Sequence, residues 1–111
     1  MANVVDTRGL TKLPLHDGSD EKWPTFCFKF EAYTALLGWD HFMDASSREE
    51  NAILASSLGA EARTISTQLQ AVLVSALDGK SLGIVRLVPD HNGLESWRRL
   101  KAEYEPKSGT R

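Results

Sequence analysis

Between Trp23 and Leu37 the large apolar residues Trp23, Phe26, Phe30, Tyr33 and Leu37 recur at steps of three and four. That spacing lines them along one face of an α-helix. A face of four aromatics and a leucine must be covered by other parts of the chain, so the helix demands partners. Ser19 or Asp20 lies just ahead as an N-cap. Pro24 falls in the first turn, where its missing N–H does little harm, and Gly38 offers a left-handed stop.

The remaining sequence supplies such partners. Trp39, Phe42 and Met43 predict a short helical turn after Gly38. Ser46-Ser47-Arg48-Glu49-Glu50 holds two overlapping capping boxes, Ser46 with Glu49 and Ser47 with Glu50. A second helix is therefore expected through Ala52, Ile53, Leu54 and Leu58, stopping at Gly59. Glu61 opens a third, with Ile65, Leu69, Val72, Leu73, Ala76 and Leu77 on its buried side and an end near Gly79. Residues 81–88 fit a short helix before Pro89, while the β-branched Ile84, Val85 and Val88 leave a strand open. Asn92, with Glu95 three residues on, caps a last helix whose stripe is Leu94, Trp97, Leu100 and Tyr104, closed by Pro106. Five or so helices and no alternating strand pair predict an all-α fold, a compact bundle of about five helices. Residues 1–19, with Gly9, Pro14 and Gly18, read as an irregular N-terminal arm docking through Leu10, Leu13 and Leu15. Residues 20–106 are the helical domain and residues 107–111 a polar tail.

A chain of 111 residues has room for one domain. It can bury enough apolar surface to hold a core unaided, and with Cys27 as its one cysteine it forms no internal disulfide. The longest apolar run, Ala71-Val72-Leu73-Val74, is far too short for a bilayer. The start, Met1 to Asp6, lacks the parts of a secretion signal, so a cytoplasmic protein without a membrane partner is expected. A net charge of -2 argues against coating DNA. The charge is uneven, however. Residues 1–50 hold five basic and nine acidic side chains, net -4, and residues 51–111 hold eight and six, net +2. From Trp97 onward five basic residues face two acidic ones. Arg98, Arg99 and Lys101 lie off the apolar stripe of the last helix, with Lys101 bordering it. They are the candidates for contact with another copy or for weak, non-specific contact with RNA.

Little in the sequence points to catalysis. Gly79-Lys80-Ser81 resembles the end of a phosphate-binding loop but lacks the upstream glycine and strand. No HExxH, GxSxG or CxxC occurs. His16, His41 and His91 each adjoin an aspartate (Asp17, Asp40 and Asp90), which can orient an imidazole. Neighbours in a loop rarely point the same way, so solvated histidines are expected. Cys27, between Phe26 and Phe28, has aromatic surroundings and no base, which predicts a buried, inert thiol. Trp23, Phe26, Phe30, Tyr33, Trp97 and Tyr104 read as core, together with Leu69 and Leu100, rather than as stacking platforms. No catalytic residue, metal site, cofactor or small-molecule substrate is assigned.

Two segments, taken in order, carry a family resemblance. One is Leu15-His16-Asp17-Gly18-Ser19-Asp20-Glu21-Lys22-Trp23-Pro24-Thr25-Phe26, a glycine followed five residues later by tryptophan and an aromatic helix. The other is Leu94 to Tyr104, a W-x2-L-x3-Y helix after a long helical middle. From Leu13 to Pro106 the chain resembles the Gag polyprotein of LTR retrotransposons of the Copia-like type. The resemblance implies a capsid-like helical domain, non-enzymatic, that self-associates into particles packaging element RNA. The chain departs from that pattern in having one cysteine, hence no zinc knuckle, and no Asp-Thr/Ser-Gly triplet, so zinc-dependent RNA binding is not carried over. A different class of function also fits the helical pattern: a host protein-interaction module that binds a partner peptide in a groove between helices.

Overall fold

The aromatic row forms a helix, and its buried side joins a core whose central helix is the last one of the chain. The structure, a computed structural model, describes residues 12–106. Its helices are α1 (Trp23–Leu36), α2 (Asp40–Ser47), α3 (Ala60–Ala76), α4 (Gly79–Arg86) and α5 (Gly93–Tyr104), with a 3-10 turn at Ala55–Ser57. The fold is all-α, and the 81–88 segment is helical as far as Arg86, with no strand in it. No helix among the described residues is long and apolar enough to cross a membrane.

Helix α1 starts later than a Ser19 or Asp20 cap would place it, because Gly18 turns the chain in a left-handed conformation (φ 97°) and residues 20–22 make a further turn. It stops as the sequence predicts. Gly38 is left-handed (φ 79°), its N–H donates to Ala35 O, and the Trp39 N–H donates to Thr34 O, both at 3.0 Å. These two bonds satisfy the last carbonyls and turn Trp39 into the core. Trp23, Phe26 and Phe30 are buried, while Tyr33 is half-buried and Leu37 exposed.

The expected second helix is absent. The turn foreseen at residues 39–43 extends instead into α2, which ends where the new helix was to begin. The Ser46 and Ser47 hydroxyls donate back to Met43 O and Asp44 O, at 3.0 and 2.8 Å. Residues 48–54 then follow an irregular path, leaving Leu54 exposed. The cause is tertiary. The Ile53 N–H donates to Glu95 Oε1 and Ile53 O accepts from Asn92 Nδ2, both at 2.8 Å. The one N–H of Ile53, once given to Glu95, cannot also serve a helical ladder.

Helix α3 buries Ile65, Leu69, Leu73 and Ala76 as foreseen, with Val72 half-buried. It ends at Ala76; Gly79 opens α4 rather than closing α3. Asp90 and His91, both left-handed (φ 64° and 52°), turn the chain into α5. There Asn92 Oδ1 accepts from the Glu95 N–H at 3.2 Å, the cap that the sequence announces.

Helix α5 lies against α2, α3 and α4 and meets α1 through aromatic rings. Trp23 stacks on Tyr104 (4.6 Å between centroids) and Phe30 on Trp97 (5.3 Å). Leu94, Trp97 and Leu100 are buried, as is Leu69 of α3, and Tyr104 is half-buried. The arm before α1 docks partly. Leu13 packs on the core and the His16 N–H donates to Ala76 O at 2.9 Å, but Leu15 is exposed. Leu10 and the polar tail fall outside the described residues.

The α3–α5 approach is close because of Gly93. A Cβ there would lie 2.4 Å from Gln70 N and 2.5 Å from Ser66 O, both main-chain atoms. We predict that Gly93→Ala lowers the unfolding free energy by about 1–3 kcal/mol, the usual cost of overpacking. Urea denaturation measures it. An unchanged or raised midpoint, which alanine's helix propensity alone would give, would contradict this packing.

Candidate functional site

The three basic residues singled out in the sequence all sit on α5, but they do not form a free cationic face. Arg98 and Arg99 both turn onto Glu95. Arg98 Nε and Nη2 donate to Glu95 Oε1 and Oε2 at 2.7 and 2.9 Å, and Arg99 Nε donates to Oε2 at 2.7 Å. The Arg98 side chain is only 16% exposed, against 37% for Arg99. Lys101 is paired with Glu105 (3.0 Å) and Glu31 (3.5 Å) and is 20% exposed. The outward orientation expected of all three is met by Arg99 alone. Helical spacing explains the correction, since Glu95 is three and four residues before the arginines and Glu105 is four after the lysine.

Glu95 itself escaped the sequence reading, which saw only its place three residues after a cap. Its carboxylate is buried and takes the Ile53 N–H as well as both arginines. Burial raises its pKa, but the Arg98, Ile53 and Arg99 hydrogen bonds outweigh that and hold it down at about 2. Around it Ser66 Oγ donates to Asn92 Oδ1 (2.9 Å) and Ser96 Oγ to Gln70 Oε1 (2.6 Å). The signal for this buried polar cluster was the run of serine, glutamine and glutamate on faces otherwise apolar.

His16 is not solvated. It is buried, stacked on Phe26 (5.0 Å) and edge-on to Trp23 and Tyr104. Its Nε2 donates to Ser19 O and its Nδ1 lies against Ser81 Oγ, both 2.9 Å. It ties the arm to α4. Tyr104 adds a bond from its hydroxyl to Gly18 O (2.7 Å), and Trp23 Nε1 donates to Glu105 Oε2 (2.6 Å). His41 and His91 are exposed. Cys27 is buried, and desolvation pushes its thiol up to about 12 despite Lys101 nearby. Little thiolate exists at neutral pH, so its nucleophilicity is low.

Besides a groove between the arm and α1 lined by Leu13, Pro14, Leu15, Ala32 and Tyr33, two apolar surface features stand out. The first is a cleft of about 350 Å³ where α2, the 48–58 segment, α3 and the start of α5 meet. Phe42, Ala45, Ile53, Leu58, Ala62 and Leu94 line it, with Glu49 and His41 at its edge. It exists because Glu95 and Asn92 hold the Ile53 backbone away from helical structure. The second is the outer side of α1, where Phe28 is 76% exposed and Leu36 57%. Phe28 is two residues from both Phe26 and Phe30, which puts it on the side of the helix opposite the buried stripe. Comparison with protein-family models, curated proteins and solved structures finds no match to this chain.

Glu95 sets a pH dependence whose sign is fixed. A carboxylate held below its ordinary value stabilises the fold above the usual glutamate range and loses that contribution as pH falls toward 2. We predict that Glu95→Gln costs about 3 kcal/mol at neutral pH, the equivalent of that shift. The native chain should lose a similar amount between about pH 5 and pH 2, and the variant should show a flatter acid limb. Denaturation across pH measures both, and superimposable acid limbs would contradict it.

Proposed function

We propose that this chain is a non-enzymatic structural domain of the retrotransposon Gag type, whose copies associate into particles that package element RNA. The supporting sequence feature is the ordered pair of segments, Gly18 to Trp23 and Leu94 to Tyr104. The observation that carries the reading is α1, which is apolar on both sides. One side is buried in the core and the other leaves Phe28 and Leu36 in solvent, with Leu37 just past the helix end and Leu15 also uncovered. Large apolar side chains exposed beside one another in this way mark contact surfaces. Of the basic trio Arg99, the most exposed, would be the one to touch RNA or a neighbouring copy, although it also pairs with Glu95.

A second reading, a module binding a partner peptide, is favoured by the apolar cleft beside α2. The two part on self-association. Capsid-type contacts are weak singly and gain strength by repetition, so the isolated chain should be monomeric when dilute and shift to larger species as concentration rises. Sedimentation and light scattering across a concentration series, with and without RNA, follow it. A chain strictly monomeric at millimolar concentration in both conditions would overturn the Gag reading and favour the peptide module.

A further inference from the structure

We propose that copies of this chain join head to tail, with Phe28 of one copy seated in the cleft between α2, α3 and the start of α5 of the next. The inference rests on the self-association reading above and names its contact. Phe28 projects from α1, five residues after its first residue and eight before its last, and is 76% exposed. The other aromatics of α1 are buried (Trp23, Phe26, Phe30) or half-buried (Tyr33), so Phe28 is the most exposed aromatic that this helix offers.

The cleft fits such a knob. Its volume of about 350 Å³ is near the lower end of ligand pockets, roughly 300–1,000 Å³, which suits a side chain and its neighbours rather than a whole helix. Its wall is mostly apolar, with Phe42, Leu58 and Leu94 available to a ring and Ser46 and Ser57 among them. Charge agrees with this pairing. Lys29 follows Phe28 in sequence, and Glu49 stands at the edge of the cleft. Among the described residues neither has an ion-pair partner within 4 Å. With Phe28 seated, Lys29 reaches the rim where Glu49 lies.

Knob and cleft are different surfaces, so the contact is heterologous and repeats from copy to copy, closing into a ring or continuing as a filament. That is the kind of contact an assembling domain needs. A two-fold pairing of α1 faces would instead stop at a dimer.

The experiment uses the full chain at concentrations where it associates, with sedimentation equilibrium as the readout and circular dichroism confirming fold. Phe28→Glu removes the knob at an exposed position, and Ala45→Trp fills the cleft from an exposed position. Each alone should weaken association at least tenfold. Mixed in equal amounts they should form a heterodimer that grows no further, since one variant keeps an intact cleft and the other an intact knob. Lys29→Glu should weaken association, and adding Glu49→Lys in the same chain should restore it. Leu87→Ala, at an equally exposed site, should have no effect. Association insensitive to Phe28→Glu and Ala45→Trp, or variants that do not rescue each other, would overturn this contact while leaving self-association intact. Absence of association in the unaltered chain would overturn the Gag reading itself, and this inference with it.

Discussion

A buried carboxylate is costly unless its charge is met and its lone pairs filled, and α5 carries one in Glu95. Two arginines from the next turn meet the charge, and the Ile53 N–H fills a remaining acceptor site. Much of the structure follows from this arrangement. With Asn92 holding the Ile53 carbonyl, it pins a non-helical segment across the start of α5. That segment forms one wall of the apolar cleft, and it takes Arg98 out of the cationic surface. Removing one partner would strand the others in a low-dielectric setting, so the cluster behaves as a unit.

The opposite end of the domain is held by aromatic packing. His16, Trp23, Phe26 and Tyr104 form one contiguous group, joined through Trp97 to Phe30. The polar tips of these rings are all satisfied, Trp23 by Glu105, Tyr104 by Gly18 O and His16 by Ser19 and Ser81. Rings with satisfied tips can be buried without an unpaired donor. This is how an arm with few apolar residues is fixed to a helical body. It also leaves α1 committed on one side only, with Phe28 on the other.

Local signals in the sequence translated well into structure. The three-and-four spacing of Trp23, Phe26 and Phe30, the stop at Gly38, the Asn92 cap and the Leu94–Trp97–Leu100 stripe all depend on neighbours within a turn or two. What went astray depended on partners far along the chain. Ser46 and Ser47 hold the pattern of capping boxes, yet bonds from Ile53 to residues 39 and 42 positions away displaced the helix they announced. His16 looked like a loop histidine because Ser81 and Tyr104 are invisible to a local reading. Arg98 and Lys101 were placed outward because periodicity locates a Cα, whereas a long side chain follows the nearest carboxylate. The cleft was not legible at all, since it is made by a segment that refuses its own propensity.

The Ile53 amide reports on this most directly. Native-state hydrogen exchange, read residue by residue, compares its opening free energy with those of the α5 amides. If Glu95 locks the segment to α5, Ile53 should exchange as slowly as Leu100, through the same cooperative opening, and should lose that protection in Glu95→Gln. Exchange of Ile53 as fast as an exposed loop amide in the unaltered chain would show that α5 does not hold the segment, and the cleft would lose its wall.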